Sequence, residues 1–176
     1  QLDDNGYMSY SDDKIKHAKL GIDVSSHQGS IDWDQVKEAG IQFAMIRLGY
    51  RGYTQGGLAL DDGYVTNIET ALEAEMPVGV YFYTQAVSYD EGVEEAQYVL
   101  QNIAGYKISY PVVIDTEKME AEGARANDIS NEERTDAIVG FCETIKDAGY
   151  TPMIYANRNW YAQNLDMDRL GDYQLW

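Results

Sequence analysis

Short apolar runs recur along the chain at 20–24, 43–48, 78–83, 111–115 and 151–155. Each is rich in β-branched or aromatic residues and of strand length, which predicts five strands. Amphipathic stretches fill the intervals and predict helices. The first begins with Asp32 as N-cap and Gln35 three residues on, and stops near Gly40. Longer helices are expected at 91–103 and 132–148. Three helix-to-strand junctions look alike: Ala39-Gly40-Ile41, Ala74-Glu75-Met76 and Ala148-Gly149-Tyr150. Repeated βα units return the chain to the same end of a sheet, so the strands are expected to be parallel and covered on both faces. That leaves a barrel or a doubly wound sheet. No GxGxxG follows the first strand, and the Gly56-Gly57 pair falls in a polar loop after the second, so a barrel is the expectation.

Composition narrows the picture. A chain of 176 residues is the size of one domain. Residues 1–18 are polar, without clean periodicity, and are read as a surface segment or linker, which leaves 19–176 as the folded domain. Thirteen basic against thirty acidic side chains give a formal charge of -17, which repels a phosphate backbone and argues against nucleic acid. No apolar stretch approaches the ~20 residues of a membrane helix, and the sequence starts at Gln1 without a basic, hydrophobic leader. The single Cys142 shares a helical stripe with Ile138, Phe141 and Ile145 and reads as a buried apolar residue. No Cys/His cluster has metal-ligand spacing, and neither a metal nor a cofactor is expected.

The segment Pro-Val-Val-Ile-Asp-Thr-Glu at 111–117 carries the most chemistry. An apolar strand ends in two carboxylates one residue apart, and strand geometry turns Asp115 and Glu117 to one face while Thr116 points away. At the C-terminal mouth of a parallel barrel, burial beside a like charge raises the pKa of one member. One protonated carboxyl and one anion are what glycoside cleavage needs. Asp23 ends the first strand and is expected at the same mouth. Asp61 and Asp62 precede a helix, where they meet its N-terminus or contact substrate. Aromatics near strand ends, Tyr50, Tyr81, Tyr83, Tyr155 and Trp160, are suited to stacking on sugar faces. His27 has no nucleophile motif beside it and reads as a hydrogen-bonded loop residue.

Gly21-Ile-Asp-Val-Ser-Ser-His-Gln-Gly29 with Ile31-Asp-Trp33 resembles the opening of glycoside hydrolase family 25, the N-acetylmuramidase lysozymes. The resemblance runs on through 43–51, Asp61 with Asn67, 77–85, 111–117 and 150–155, nearly everything after Lys19. It implies an α/β fold, a flattened, TIM-like (β/α)5β3 barrel, and hydrolysis of the β-1,4 bond between N-acetylmuramic acid and N-acetylglucosamine in bacterial peptidoglycan. By motif position Glu117 resembles the general acid, and Asp115 the carboxylate that stabilises the charged intermediate or the substrate's acetamido group. Asp23 resembles their partner, and Asp61 a further site-lining residue. Tyr81, Tyr83, Gln85 and Tyr155 are the expected substrate contacts. The family continues past a strand like 173–176 into two more strands, the last with another active-site Asp. This sequence stops at Trp176, so the barrel is expected to lack its closing strands and to be weakly stable or inactive without them.

The resemblance places the protein outside the cell or in the wall, as a monomer acting on peptidoglycan, with no membrane partner. Two other functions remain open at this point. One is a non-catalytic wall-binding barrel. The other is a chitinase-like glycosidase, although the longer Asp-x-x-Asp-x-Asp-x-Glu run is absent, since position 109 is Ser and 111 is Pro.

Overall fold

The computed structural model describes residues 19–176, so the segment expected at 1–18 lies outside the described residues. The elements are β1 (Gly21–Val24), α1 (Trp33–Glu38), β2 (Phe43–Arg51), β3 (Leu58–Leu60), α2 (Tyr64–Glu73), β4 (Val78–Tyr83) and α3 (Tyr89–Ile103). They continue with β5 (Val112–Asp115), α4 (Asn131–Asp147), β6 (Pro152–Tyr155), α5 (Arg158–Asn164), α6 (Met167–Leu170) and β7 (Gln174–Leu175). The sheet order is β1-β2-β4-β5-β6-β7 with every neighbour parallel, and β3 folds back antiparallel on β2. The result is an α/β fold with a curled parallel sheet, a half-barrel whose end strands β1 and β7 do not pair among the described residues.

Alternation within the strands sorts side chains to two faces. Ala44, Ile46 and Leu48, Val78, Val80 and Phe82, Val112 and Ile114, and Ile154 are fully buried in the core shared with the helices. The residues between them face the concave side, where β2 and β4 pair Met45 with Gly79 and Arg47 with Tyr81. One step further along, Tyr83, Asp115 and Tyr155 lie side by side on β4, β5 and β6. The concave floor is therefore apolar, and polarity increases toward the C-terminal strand ends.

The helices start where capping side chains allow it. Asp32 accepts from the Gln35 amide, as expected for α1. Ser88 caps α3 and Ser130 forms a capping box with Glu133 on α4, so these helices begin one to two residues earlier than apolar periodicity alone suggests. All three similar junctions close the same way: the amide of Ile41, Met76 and Tyr150 reaches back to the carbonyl of Val36, Ala71 and Ile145. Their middle residues are left-handed, at φ 89° for Gly40, 57° for Glu75 and 87° for Gly149. Glycine adopts that conformation freely; Glu75 adopts it at a cost.

Packing of α3 on α4 is close enough that a Cβ at Gly92 would run into the Ala137 carbonyl and one at Gly140 into that of Tyr89. Cys142 is buried on α4, as expected from its stripe. No helix among the described residues is long and apolar enough to cross a membrane.

Candidate active site

A groove of about 690 Å3 opens at the C-terminal ends of the strands. Asp23, Asp115 and Glu117 all line it, together with Asp61, Tyr81, Tyr83 and Tyr155. These expected site residues are thus brought together. Gln85 is not: it lies just past β4, is completely buried and does not line the groove. β4 ends at Tyr83, so strand alternation no longer sets the direction of Gln85.

Trp160 also departs from expectation. It is buried behind the sheet, where its indole N–H donates to the Thr116 hydroxyl at 3.1 Å, so it offers no face to a sugar. His27 sits in a short 3-10 turn at the rim and lines the groove. Asp62 is exposed at the rim, whereas Asp61 is buried.

Asp61 is the anchor of the β1 side. Its carboxylate accepts from the Ser26 amide at 2.8 Å, the Ser26 hydroxyl at 3.0 Å, the Gly63 amide at 2.9 Å and Arg47 Nε at 2.7 Å. Burial pushes this carboxyl upward, but Arg47, the Gly63 amide and Ser26 outweigh it and hold it below its ordinary value. It therefore stays ionised while locking the loop after β1 to the start of α2.

Sequence reasoning missed Arg47 as a site residue, although a lone cation inside the apolar run 43–48 was the available signal. Projecting from the concave face of β2, it is an attractive charge for Asp115. Tyr53, Met119 and Trp176 were missed as well and complete the groove walls. Tyr50 and Tyr53 are about two-fifths exposed, as is Trp176, whose ring packs edge-on against Tyr155 at 5.0 Å. These flat, half-wet rings suit contact with sugar faces.

Asp115 and Glu117 differ in environment. Asp115 is only 7% exposed, and one of its oxygens has no hydrogen-bond partner among the described residues. Burial first, then Glu117 and Asp23, push its carboxyl up to about 8 against the pull of Arg47. Glu117 is half-buried, and burial raises it above the usual carboxylate range. Tyr81 and Tyr83 beside them are both pushed up to about 12, chiefly by burial, so their hydroxyls remain protonated donors. The groove therefore sets Asp115, whose carboxyl holds its proton most tightly, next to ionised Asp61. Among the described residues, no cluster of three or more acidic, His or Cys side chains is arranged to hold a metal ion.

The model of the family "Glycosyl hydrolases family 25" matches residues 22–176. The chain belongs to this family. Among curated relatives, it is 28% identical over 156 residues to the autolytic lysozyme of Clostridium acetobutylicum and 30% identical over 149 residues to lysozyme M1 of Streptomyces globisporus. Those alignments cover 89% and 80% of this chain but 43% and 47% of the relatives, so it spans less than half the length of either. Among solved structures, the bacterial lysozyme from Streptomyces coelicolor superposes with a TM-score of 0.71 at 26% identity, covering 92% of this chain and 74% of that one. A family 25 glycosyl hydrolase from Bacillus anthracis gives 0.73 at 24% identity, over 97% of this chain and 75% of that one, and shows the shared fold.

Proposed function

We propose that this family 25 domain is the catalytic part of a muramidase that hydrolyses the β-1,4 bond between N-acetylmuramic acid and N-acetylglucosamine in peptidoglycan. The observation that carries the reading is the pair Asp115 and Glu117, which leave the end of β5 side by side into a long groove walled by tyrosines. Lysozymes among its relatives, and a pneumococcal autolysin solved with a synthetic peptidoglycan ligand, support the substrate class.

In this reading Glu117 is the general acid. Partial burial raises its carboxyl above its ordinary value, the direction an acid needs, and its position on the groove wall lets it protonate the departing glycosidic oxygen. Burial and the neighbouring Glu117 raise the Asp115 carboxyl to about 8, which disfavours the anion that direct attack on the anomeric carbon requires. That favours the substrate's own N-acetyl oxygen as the attacking group, with Asp115 hydrogen-bonding the acetamido group and holding it in place. Asp23, exposed on the facing strand, and ionised Asp61 supply negative potential as positive charge develops on the sugar. Tyr81, Tyr83 and Tyr155 orient the rings. The sheet then corresponds to the larger part of a (β/α)5β3 barrel, and the protein acts outside the cell on the wall, as a monomer.

The test is the identity of the new reducing end. Purified walls digested with the protein, reduced with borohydride and analysed by mass spectrometry should yield reduced N-acetylmuramic acid, with chitin oligomers left intact. Reduced N-acetylglucosamine, or faster cleavage of chitin oligomers, contradicts the reading.

A further inference from the structure

The side chain between the two carboxyls is held from behind. Thr116 continues the β5–β6 ladder by one residue, its amide donating to the Tyr155 carbonyl at 3.0 Å, and its hydroxyl accepts from Trp160 Nε1 at 3.1 Å. Both partners are buried, Thr116 at 4% and Trp160 at 9% exposure. Beyond Thr116 the strand has ended, so no further sheet pairing fixes Glu117.

Trp160 is itself clamped. Its amide donates to the Asn157 N-cap at 3.0 Å, and the Arg134 guanidinium from α4 lies over its ring at 4.8 Å. Arg134 is buried, and its hydrogen bonds all go to backbone carbonyls: Ala126 at 2.8 Å, Asn127 at 3.3 Å, Ile129 at 3.4 Å and Asn164 at 3.4 Å. Three of those carbonyls belong to the loop that leaves Glu117, and the fourth to the end of α5. Glu117, Thr116, Arg134 and Trp160 line one small cavity behind the groove. Desolvation lowers the Arg134 pKa against the pull of Glu133, and no carboxylate among the described residues is hydrogen-bonded to it, so a charged side chain is being kept where it costs stability. A purely packing role for this position would be served by an apolar side chain.

We propose that Trp160, braced by Arg134, positions Glu117: the indole N–H grips Thr116 and so fixes the peptide from which the acid projects. This rests on the muramidase reading and adds to it. Trp160 and Arg134 touch no substrate; they act through Thr116 and the loop 118–129. Because the grip of Trp160 on Thr116 is a single hydrogen bond, removing its donor or its acceptor has the same consequence. The glutamate then samples positions from which it does not reach the glycosidic oxygen, and it becomes more solvated.

The experiment compares release of reducing ends from purified walls by the wild-type protein and by Thr116→Val, Thr116→Ser, Trp160→Phe, the Val/Phe double variant and the core control Ile145→Val. Thr116→Val and Trp160→Phe should each lower kcat on the order of 10- to 100-fold, with KM nearly unchanged. The double variant should lose no more than either alone, and Thr116→Ser should retain activity. The alkaline limb of kcat/KM should move to lower pH in both impaired variants, because a more hydrated Glu117 releases its proton sooner. Wild-type kcat in Trp160→Phe, or a loss that merely tracks lowered Tm as in Ile145→Val, overturns the positioning role while leaving the muramidase reading intact. No reducing ends from the wild type overturns both. Should Thr116→Val fail to fold, Trp160→Phe and Thr116→Ser carry the same comparison.

Discussion

Asp115→Asn should make the protein more stable at alkaline pH while impairing it as an enzyme. The carboxyl is ordinarily half-ionised near 3.8 and rises to about 8 in the fold, with burial as the main cause. A group that binds its proton more tightly folded than unfolded contributes stability that is complete below the unfolded value. That contribution is lost as pH climbs through the folded one. At about 1.4 kcal/mol per pH unit, the rise sets a ceiling of ~6 kcal/mol on the cost of ionising Asp115. The open groove and Arg47 offset much of this, and about 1–3 kcal/mol is the expected gain on making the side chain permanently neutral. For a chain of this size that is roughly 2–10 °C in Tm. Thermal unfolding of both proteins by circular dichroism from about pH 4 to about pH 9 reads it directly. The two curves should coincide near the acid end and separate as pH rises. A Tm difference that is the same at every pH, or one that grows in favour of Asp115, would refute the reasoning.

Other perturbations probe the scaffold. Arg51 is buried and donates to fully buried Glu95 at 2.8 Å, and burial pushes Glu95 up to about 7. Arg51→Met should therefore cost about 3–5 kcal/mol in urea unfolding near pH 8 and clearly less near pH 5, where Glu95 is protonated and needs no countercharge; equal losses would contradict this. Glu75→Gly relieves a left-handed backbone at φ 57° and should raise stability by up to ~1 kcal/mol, read as Tm. With a net charge of -17 facing an often anionic wall, turnover should increase with moderate salt, and a steep fall would count against that electrostatic account.

The strands were legible because both faces of each are covered, so they read as apolar runs; 78–83 matches β4 to the residue. The second extends beyond 48 to Arg51 because β3 pairs back on it, and the three-residue β3 hides in a glycine-rich stretch. The short helices α5 and α6 are fixed by the Asn157 and Asp166 caps and by contacts across the fold, which no local period announces. Within the site, Asp115 and Glu117 were legible from strand alternation. Their proton affinities were legible only in direction, since the deeper burial of Asp115 depends on neighbouring strands. Gln85 and Trp160 were misplaced for different reasons: Gln85 lies just past the end of β4, where alternation no longer says which way a side chain points, and Trp160 sits inside α5, where packing of the helix sets its direction. Trp176 gained its place on the groove wall from the parallel pairing of β7 with β6, a contact between distant segments.

The central claim is that Glu117 delivers the proton that breaks the glycosidic bond. Glu117→Gln removes that proton with almost no change of shape, so wild-type and variant protein should sediment equally with purified walls. Reducing-end release should fall on the order of 100-fold or more in the variant. Undiminished release by Glu117→Gln would contradict the account.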